Sequence, residues 1–391
     1  MPTPFRPRLL CLAATSIFLA CSVAFAQHDP SGGMMGGSVE RSSKPAAKPA
    51  NKPASSTTPR KPTTTRRPTT TPTTSADSYY KQGEALYNTQ KYREALELYL
   101  KATEINPSMA SALYRVGWIY NDLEDYESAL DPLGRVVALQ PNNAAAHFEL
   151  AYAYRKLERY TDALPLFQQT IRIKPDYAGA HYEIGWIYNE QKNYTGAIES
   201  LRRALSYRSD YAEALTELGY AYKNLERNDE AIQAYQQAIR LKPEKGAAYL
   251  GLADVYYYNT KKFAEAANAY KQGLQYSPNN ATARYNLGWC YNDAERYPDA
   301  IDQLREAVKL RPTYPEAYNE MGYALHQLSR FGEAVQQYQT AIRQKANYPS
   351  AHYNLGMSFV ALNNRNAALE QYRILQRIDA ARATKLFRNI K

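Results

Sequence analysis

Residues 110–143 read ASALYRVGWIYNDLEDYESALDPLGRVVALQPNN, and this 34-residue stretch recurs along the chain. The residues that follow it, 144–177, read AAAHFELAYAYRKLERYTDALPLFQQTIRIKPDY. Both stretches have a small residue at position 8, alanine at position 20 and proline at position 32. The same proline marks the period elsewhere, at Pro107, Pro141, Pro175, Pro243, Pro278 and Pro312. Self-similarity at a fixed period of about 20–50 residues is typical of proteins built from stacked repeats.

Nine consecutive units carry this pattern. Written in register, they are residues 76–109, 110–143, 144–177, 178–211, 212–245, 246–280, 281–314, 315–348 and 349–382. Position 8 is glycine or alanine in every unit, and position 20 is always alanine. One interval is 35 residues instead of 34, which places an extra residue between Asp254 and Lys262 of the sixth unit. We expect this residue near the turn between two helices, where an insertion is tolerated.

The placement of small and apolar residues predicts two helices in each unit. Apolar residues recur at positions 4, 7, 11 and 24, a spacing that indicates two helices of about 14 residues. The small residues at positions 8 and 20 allow these helices to cross closely, and the proline near position 32 ends the second helix. Because one hairpin cannot bury its own apolar stripe, neighbouring units must stack on one another.

This pattern resembles the tetratricopeptide repeat family. The period, the small residue at position 8, the alanine at position 20 and the proline at position 32 cover residues 76–382, which is 307 of 391 residues. The resemblance implies an all-α fold: a right-handed superhelical solenoid of nine helix-turn-helix repeats. The end of the chain keeps Leu386, Phe387 and Ile390 at helical spacing. We expect it to form a capping helix whose C-terminal part is residues 383–391.

The first 26 residues have the pattern of a signal peptide. Two arginines precede an apolar run from Leu9 to Ala26, and the run ends in A-F-A, a small-residue cleavage site. We therefore expect a secreted or periplasmic protein. The apolar run is 18 residues long, so an uncleaved membrane anchor is one alternative. Lipidation of Cys21 is another, and only in these two cases would the chain associate with a membrane.

Positive charge is concentrated before the repeats. Residues 1–75 contain 10 Lys and Arg against 2 Asp and Glu, whereas residues 76–391 contain 38 against 36. The nearly neutral body lacks the basic stripe that a nucleic-acid groove needs, so we predict no nucleic-acid partner. Residues 27–75 are rich in Lys-Pro pairs and threonine, a composition typical of a disordered, semi-stiff linker.

The candidate binding site is the face of each first helix that lies opposite its apolar stripe. Successive helical residues turn by about 100°, so positions 2, 5, 9 and 12 share this face. Six units have tryptophan or tyrosine at position 9, and we name these residues the aromatic ladder: Trp118, Tyr152, Trp186, Tyr220, Trp289 and Tyr323. The predicted site adds tyrosines from position 5 and asparagines from position 12: Tyr114, Tyr182, Tyr285, Asn121, Asn189 and Asn292. In the family this face lines the concave groove that holds partner peptides.

Three hypotheses for function follow from an exposed aromatic strip on a neutral body. The first is a non-catalytic protein–protein interaction scaffold that holds an extended partner segment, in an envelope or secreted assembly. The second is a carbohydrate-binding module for cell-wall or exported glycan, since aromatic rings flanked by amides also hold sugar rings. The third is a regulatory or targeting subunit of a separate enzyme. For the tyrosines of position 5, stacking on neighbouring units is the alternative to partner binding.

Motifs for catalysis are absent from the sequence. It has no phosphate-binding glycine loop, no H-E-x-x-H, no G-x-S-x-G and no cysteine pair after the leader. We therefore predict no enzyme activity, no cofactor and no metal site. Core packing is the expected role of Cys290 and of the histidines at position 4: His147, His181 and His352. A solvated face is expected for the glutamates at position 6: Glu149, Glu183, Glu217 and Glu320.

Overall fold

The structure, a computed structural model, describes residues 75–390, and the predicted leader and most of the predicted linker lie outside this range. The first helices of the nine units are α1 Ala76–Asn88, α3 Ala110–Asp122, α5 Ala144–Lys156, α7 Ala178–Glu190, α9 Ala212–Asn224, α11 Gly246–Asp254, α13 Ala281–Asp293, α15 Pro315–Gln327 and α17 Pro349–Ala361. The second helices are α2 Tyr92–Ile105, α4 Tyr126–Leu139, α6 Tyr160–Ile173, α8 Tyr194–Tyr207, α10 Asn228–Leu241, α12 Phe263–Tyr276, α14 Tyr297–Leu310, α16 Phe331–Gln344 and α18 Arg365–Ile378. A last helix, α19, spans Ala380–Ile390.

Each helix packs against its neighbours in sequence, so the nine hairpins stack in chain order. Within a hairpin the two helices are antiparallel neighbours, and the second helix of each unit contacts the first helix of the next. The predicted all-α solenoid of nine helical hairpins with a capping helix is therefore confirmed.

The close crossing of the two helices occurs at positions 8 and 20, as predicted. The alanine at position 20 is fully buried in all nine units. A β-carbon built on Gly117, at position 8, would lie 2.3 Å from Cγ of Leu133 on the facing helix. The same atom on Gly83 would lie 2.8 Å from Cε1 of Tyr99. A larger residue at position 8 would therefore force the hairpin apart.

A left-handed residue ends every first helix. In the second unit this residue is Glu124, whose N–H donates to the carbonyl of Asn121, while the next N–H, of Asp125, donates to Tyr120 at 2.8 Å. Such paired bonds satisfy the last carbonyls of a helix and usually require glycine at the left-handed position. None of the nine residues here is glycine: Gln90, Glu124, Glu158, Lys192, Glu226, Lys261, Glu295, Ser329 and Asn363, with φ between 57° and 61°.

The extra residue of the sixth unit lies within the predicted interval but takes a form that the sequence did not indicate. Helix α11 continues into a π-helical turn, Val255–Asn259, before α12 begins at Phe263. The insertion is therefore absorbed as a wider helical turn instead of a longer loop. A π turn keeps the backbone groups hydrogen-bonded while it accommodates one additional residue.

Helix α19 covers the last hairpin. Leu386 is fully buried, and a β-carbon on Gly356 of α17 would lie 2.5 Å from its Cδ2 atom. Leu386 therefore closes the stripe that a tenth unit would otherwise cover. Among residues 75–390, the structure contains no helix of sufficient length and apolarity to cross a membrane.

Candidate binding groove

The aromatic ladder lies on the first helices, where each ring is half-buried. Its rings pack edge-on against the aromatic residue at position 17 of the preceding unit. The ring centroids are 5.6 Å apart for Tyr92 and Trp118, 5.9 Å for Tyr160 and Trp186, and 5.1 Å for Phe263 and Trp289. Each ladder ring thus helps to join two units and also keeps part of its surface in solvent.

The tyrosines of position 5 pack mainly within the array. The ring of Tyr182 lies 4.9 Å from that of Tyr211, and Tyr285 lies 4.9 Å from Tyr314. Burial raises the pKa of Tyr114, Tyr182 and Tyr285 above the ordinary value for a phenol. These contacts favour the stacking alternative for position 5, although each of the three side chains keeps partial exposure.

The asparagines of position 12 link neighbouring units. The Nδ2 group of Asn121 donates to both the carbonyl and the carboxylate of Glu149, at 3.0 Å each. Asn292 makes the same pair of bonds to Glu320, at 3.1 and 3.3 Å. Asn189 repeats them with Glu217. The amide donors of position 12 therefore already bind the glutamate at position 6 of the following unit, a contact that spans 28 residues of sequence.

The other half of each amide is unusual. The Oδ1 atoms of Asn121, Asn189 and Asn292 are buried and accept no hydrogen bond from residues 75–390. An unsatisfied buried acceptor costs about 1–3 kcal/mol. Because the same atom is unsatisfied at the same position in three units, it is a repeated feature of the groove.

The glutamates of position 6 do not form a solvated face, so that expectation was wrong. Glu183 and Glu217 are buried, and burial raises the pKa of Glu149 and of Glu320 to about 7. The stacking of successive units encloses this position, which helical periodicity within one unit cannot reveal. Among residues 75–390, no lysine or arginine forms an ion pair with Glu149 or Glu320, and their side-chain partners are amides.

Arg155 shows how this face holds a cation. Its Nε atom lies 2.6 Å from Oε2 of Glu183. Its guanidinium group lies over two consecutive ladder rings, 5.0 Å from the centroid of Tyr152 and 4.8 Å from that of Trp186. Arg155 occupies position 12, the position that holds asparagine in the second, fourth and seventh units. The groove therefore offers a guanidinium group one carboxylate and two aromatic faces.

Two acidic residues replace ladder rings at position 9. In the first unit, Glu84 accepts a hydrogen bond from Tyr99 and pairs with Arg115, whose Nε lies 2.8 Å away. In the sixth unit, Asp254 accepts a 2.6 Å bond from Tyr270 and lies 3.3 Å from Nζ of Lys223. The sequence signal for these networks was an acidic residue at position 9 together with tyrosine at position 24 of the same unit.

The histidines of position 4 and Cys290 belong to the core, as predicted. Nε2 of His147 and of His181 lies 2.9 Å from the carbonyl oxygens of Pro141 and Pro175, which end the preceding units. Cys290 is buried, and burial raises the pKa of its thiol to about 12. Within the described range, His, Cys, Asp and Glu side chains form no cluster suited to a metal ion.

Stability should fall as pH rises from about 5 to about 8. In the folded chain the carboxyls of Glu149 and Glu320 titrate near 7, whereas the unfolded chain ionises them at about 4.3. The folded state therefore binds more protons between these values, and ionisation costs it about 1–3 kcal/mol per site. Thermal unfolding of the double variant Glu149→Gln, Glu320→Gln should show a much flatter dependence on pH.

The charges and polar groups that face these two carboxyls are Asn121, Tyr114 and Glu183 for the first, and Asn292, Asn319 and Tyr285 for the second. Glutamine retains an oxygen that accepts the asparagine bond, so the fold should survive. An equal pH dependence in the wild-type chain and the double variant would contradict this assignment.

Family models match most of the repeat array. A tetratricopeptide repeat model matches residues 80–144, 122–178, 148–214 and 256–315, and a second one matches 212–245. A TPR repeat model matches residues 322–363. No curated protein matches the sequence at a significant level.

Solved structures with a similar fold share little sequence with the chain. The C-terminal part of a TPR repeat-containing protein from Cytophaga hutchinsonii is 16% identical, covers 62% of this chain and 99% of its own, and has a TM-score of 0.50. YrrB, described as a TPR protein with an unusual peptide-binding site, is 23% identical, covers 49% and 100%, and has a TM-score of 0.46. The Cut9–Hcn1 structure is 16% identical, with coverage of 74% and 57% and a TM-score of 0.49. At these identities the likeness concerns the fold.

Proposed function

Since the chain belongs to the tetratricopeptide repeat family, a family of protein-interaction scaffolds, we propose that its groove holds an extended segment of a partner protein and carries out no chemistry. The observation that supports this proposal is the aromatic ladder, whose six rings keep part of their surface in solvent along one face of successive units. Partly exposed tryptophan and tyrosine are enriched in contact sites because they offer a large area at a low cost in side-chain entropy. The partner-contacting residues that we propose are those of the predicted site.

The cellular setting of this scaffold is part of the proposal. The first 26 residues carry the pattern of a signal peptide, which supports export to the periplasm or the outside of the cell. The partner would then be a component of an envelope or secreted assembly. A separate enzyme is one form that this partner can take, and co-purified activity would identify it.

Exchanging the three ladder tryptophans should abolish partner capture. We expect the variant Trp118→Met, Trp186→Met, Trp289→Met to retain less than about a tenth of the partner bound by the wild-type chain, because truncated aromatic anchors each cost about 2 kcal/mol or more. Methionine is chosen because Met357 occupies position 9 of the ninth unit. Alanine would also remove the packing between units that each tryptophan provides. The measurement is a pull-down from envelope and secreted fractions, quantified by mass spectrometry.

A matched control uses rings that lie away from the groove face. Tyr207 and Tyr276, at the ends of α8 and α12, are about half exposed, so Tyr207→Met with Tyr276→Met removes exposed aromatic area elsewhere. This control should capture the partner normally. Equal capture by the wild-type and triple-variant chains would show that the ladder is not the binding surface.

The glycan alternative receives less support from the structure than it did from the sequence. It relied on the asparagines of position 12 as partners for sugar hydroxyls, and the Nδ2 donors of Asn121, Asn189 and Asn292 bind glutamates instead. A glycan array that retained the wild-type chain and not the tryptophan variant would restore this alternative.

A further inference from the structure

The side chain at position 12 decides whether the groove supplies its own cation. In the third unit Arg155 reaches the carboxylate of Glu183 and fills the space between the rings of Tyr152 and Trp186. In the second and seventh units the shorter Asn121 and Asn292 occupy the same position. Because the units repeat, the space that the arginine fills in one unit borders the asparagine in the others.

Each of these two asparagines faces a glutamate that has no cation partner. Glu149 and Glu320 stand at position 6, as Glu183 does, and each lies beside two consecutive ladder positions in sequence register. We name the set Trp118, Asn121, Glu149 and Tyr152 the Glu149 site. The set Trp289, Asn292, Glu320 and Tyr323 is the Glu320 site. Both glutamates keep partial exposure to solvent, whereas Glu183, which Arg155 covers, is buried.

A second and independent observation also points to a missing donor. The Oδ1 atoms of Asn121 and Asn292 are buried without a hydrogen-bond partner, and the residues that carry them are more than nine-tenths buried. A group with several N–H donors that entered beside the carboxylate would satisfy the amide oxygen as well. Guanidinium and ammonium groups have this property, and they have no acceptor that could clash with the two oxygens.

From this juxtaposition we infer that the groove binds two cationic side chains, arginine or lysine, of an extended partner segment, one at the Glu149 site and one at the Glu320 site. This inference rests on the proposed function and names the chemistry of the partner. The bound cation forms an ion pair with the glutamate, donates to the asparagine Oδ1 and lies against the ladder rings, as Arg155 does. The two sites are five units apart, so the segment that fills both runs along the array.

The test uses a peptide with arginine at every fourth residue among glycine and serine, and a twin with citrulline at the same places. Citrulline has nearly the shape of arginine and no charge. The chain that begins at residue 27 is titrated with each peptide, and tryptophan fluorescence reports binding because Trp118 and Trp289 each belong to one site. We expect the arginine peptide to bind about 10-fold more tightly than its twin, or better.

Two double variants separate the sites from general charge. Glu149→Gln with Glu320→Gln should weaken the arginine peptide by about 10-fold or more. The control, Glu104→Gln with Glu370→Gln, changes the net charge equally at exposed positions of α2 and α18, and it should bind within about 2-fold of wild type. A third variant, Asn121→Arg with Asn292→Arg, should reproduce the arrangement of Arg155 and block the peptide while it leaves the array folded.

Three results would overturn the inference: equal binding of both peptides, no binding of either peptide, or equal affinity in the glutamine pair and its control. If the glutamine pair still captured the natural partner while the tryptophan variant lost it, the proposed function would stand and the cation sites would be wrong. If both variants captured it normally, the groove would be the wrong surface altogether. Loss of folded structure in the glutamine pair would leave the Asn121→Arg, Asn292→Arg variant to decide, through retained or blocked peptide binding.

Discussion

Gly117→Ala is expected to lower the free energy of unfolding by about 2–3 kcal/mol, although alanine favours a helix over glycine by about 1 kcal/mol. The added β-carbon would lie 2.3 Å from Cγ and 2.8 Å from Cδ2 of Leu133. Leu133 is fully buried where α3 crosses α4, so it has no open space to move into. The hairpin must therefore separate or the leucine must take a strained rotamer.

The same unit offers a control with the opposite sign. Gly134 lies inside α4, and a β-carbon there would meet no heavy atom within 4 Å. Gly134→Ala should therefore stabilise the chain by about 0.5–1 kcal/mol. Urea unfolding of both variants, followed by far-UV circular dichroism, measures the two changes. A Gly117→Ala chain as stable as Gly134→Ala would show that the helices do not cross as closely as described.

Glycine at four of the left-handed turns should raise the free energy of unfolding by about 2–4 kcal/mol in total. Glu124, Glu158, Lys192 and Glu226 all have φ near 60°, a conformation that costs a residue with a β-carbon roughly 1–2 kcal/mol. Glycine removes this cost and loses about 0.5–1 kcal/mol through the larger entropy of the unfolded chain. The net gain is about 0.5–1 kcal/mol per turn, and it adds along the array because each turn lies in a different unit.

The measurement is the thermal midpoint of the quadruple glycine variant. Glu97→Gly provides the contrast, since Glu97 is exposed within helix α2, where glycine should destabilise the chain by about 1 kcal/mol. A quadruple variant that unfolded at or below the wild-type midpoint would mean that the side chains at these turns contribute contacts that outweigh the backbone cost.

Much of the candidate site was predictable one residue at a time, while its partnerships were not. Helical spacing correctly placed the ladder rings and Asn121 on one face of the first helix. It could not show that Asn121 donates to Glu149, because that contact joins residues 28 apart in neighbouring units. It also assigned Glu183 to a solvated face, and the structure buries it beneath Arg155 and the next unit.

The turns illustrate the same boundary at the level of the backbone. Glycine is the usual signal for a left-handed residue, and Glu124 and Lys192 give no such signal. Hydrogen bonds at the end of the first helix and the packing of the hairpin impose the conformation on whichever residue stands there. Likewise, the extra residue before Lys262 was visible as a longer interval, but its π-helical form depends on how α11 is held by its neighbours.

The sequence by itself determined the number of units, the two helices of each and the places where they cross, because these follow from spacing within 34 residues. Small residues at positions 8 and 20 can serve only one purpose in a packed hairpin, so local pattern was sufficient. Tertiary structure alone decided which polar side chains of the groove are satisfied and which are not. Stacking one unit on the next sets the enclosure of Glu149 and Glu320 and the empty acceptors of Asn121 and Asn292. Burial and hydrogen bonding between units depend on distances in space that no periodicity along the chain records.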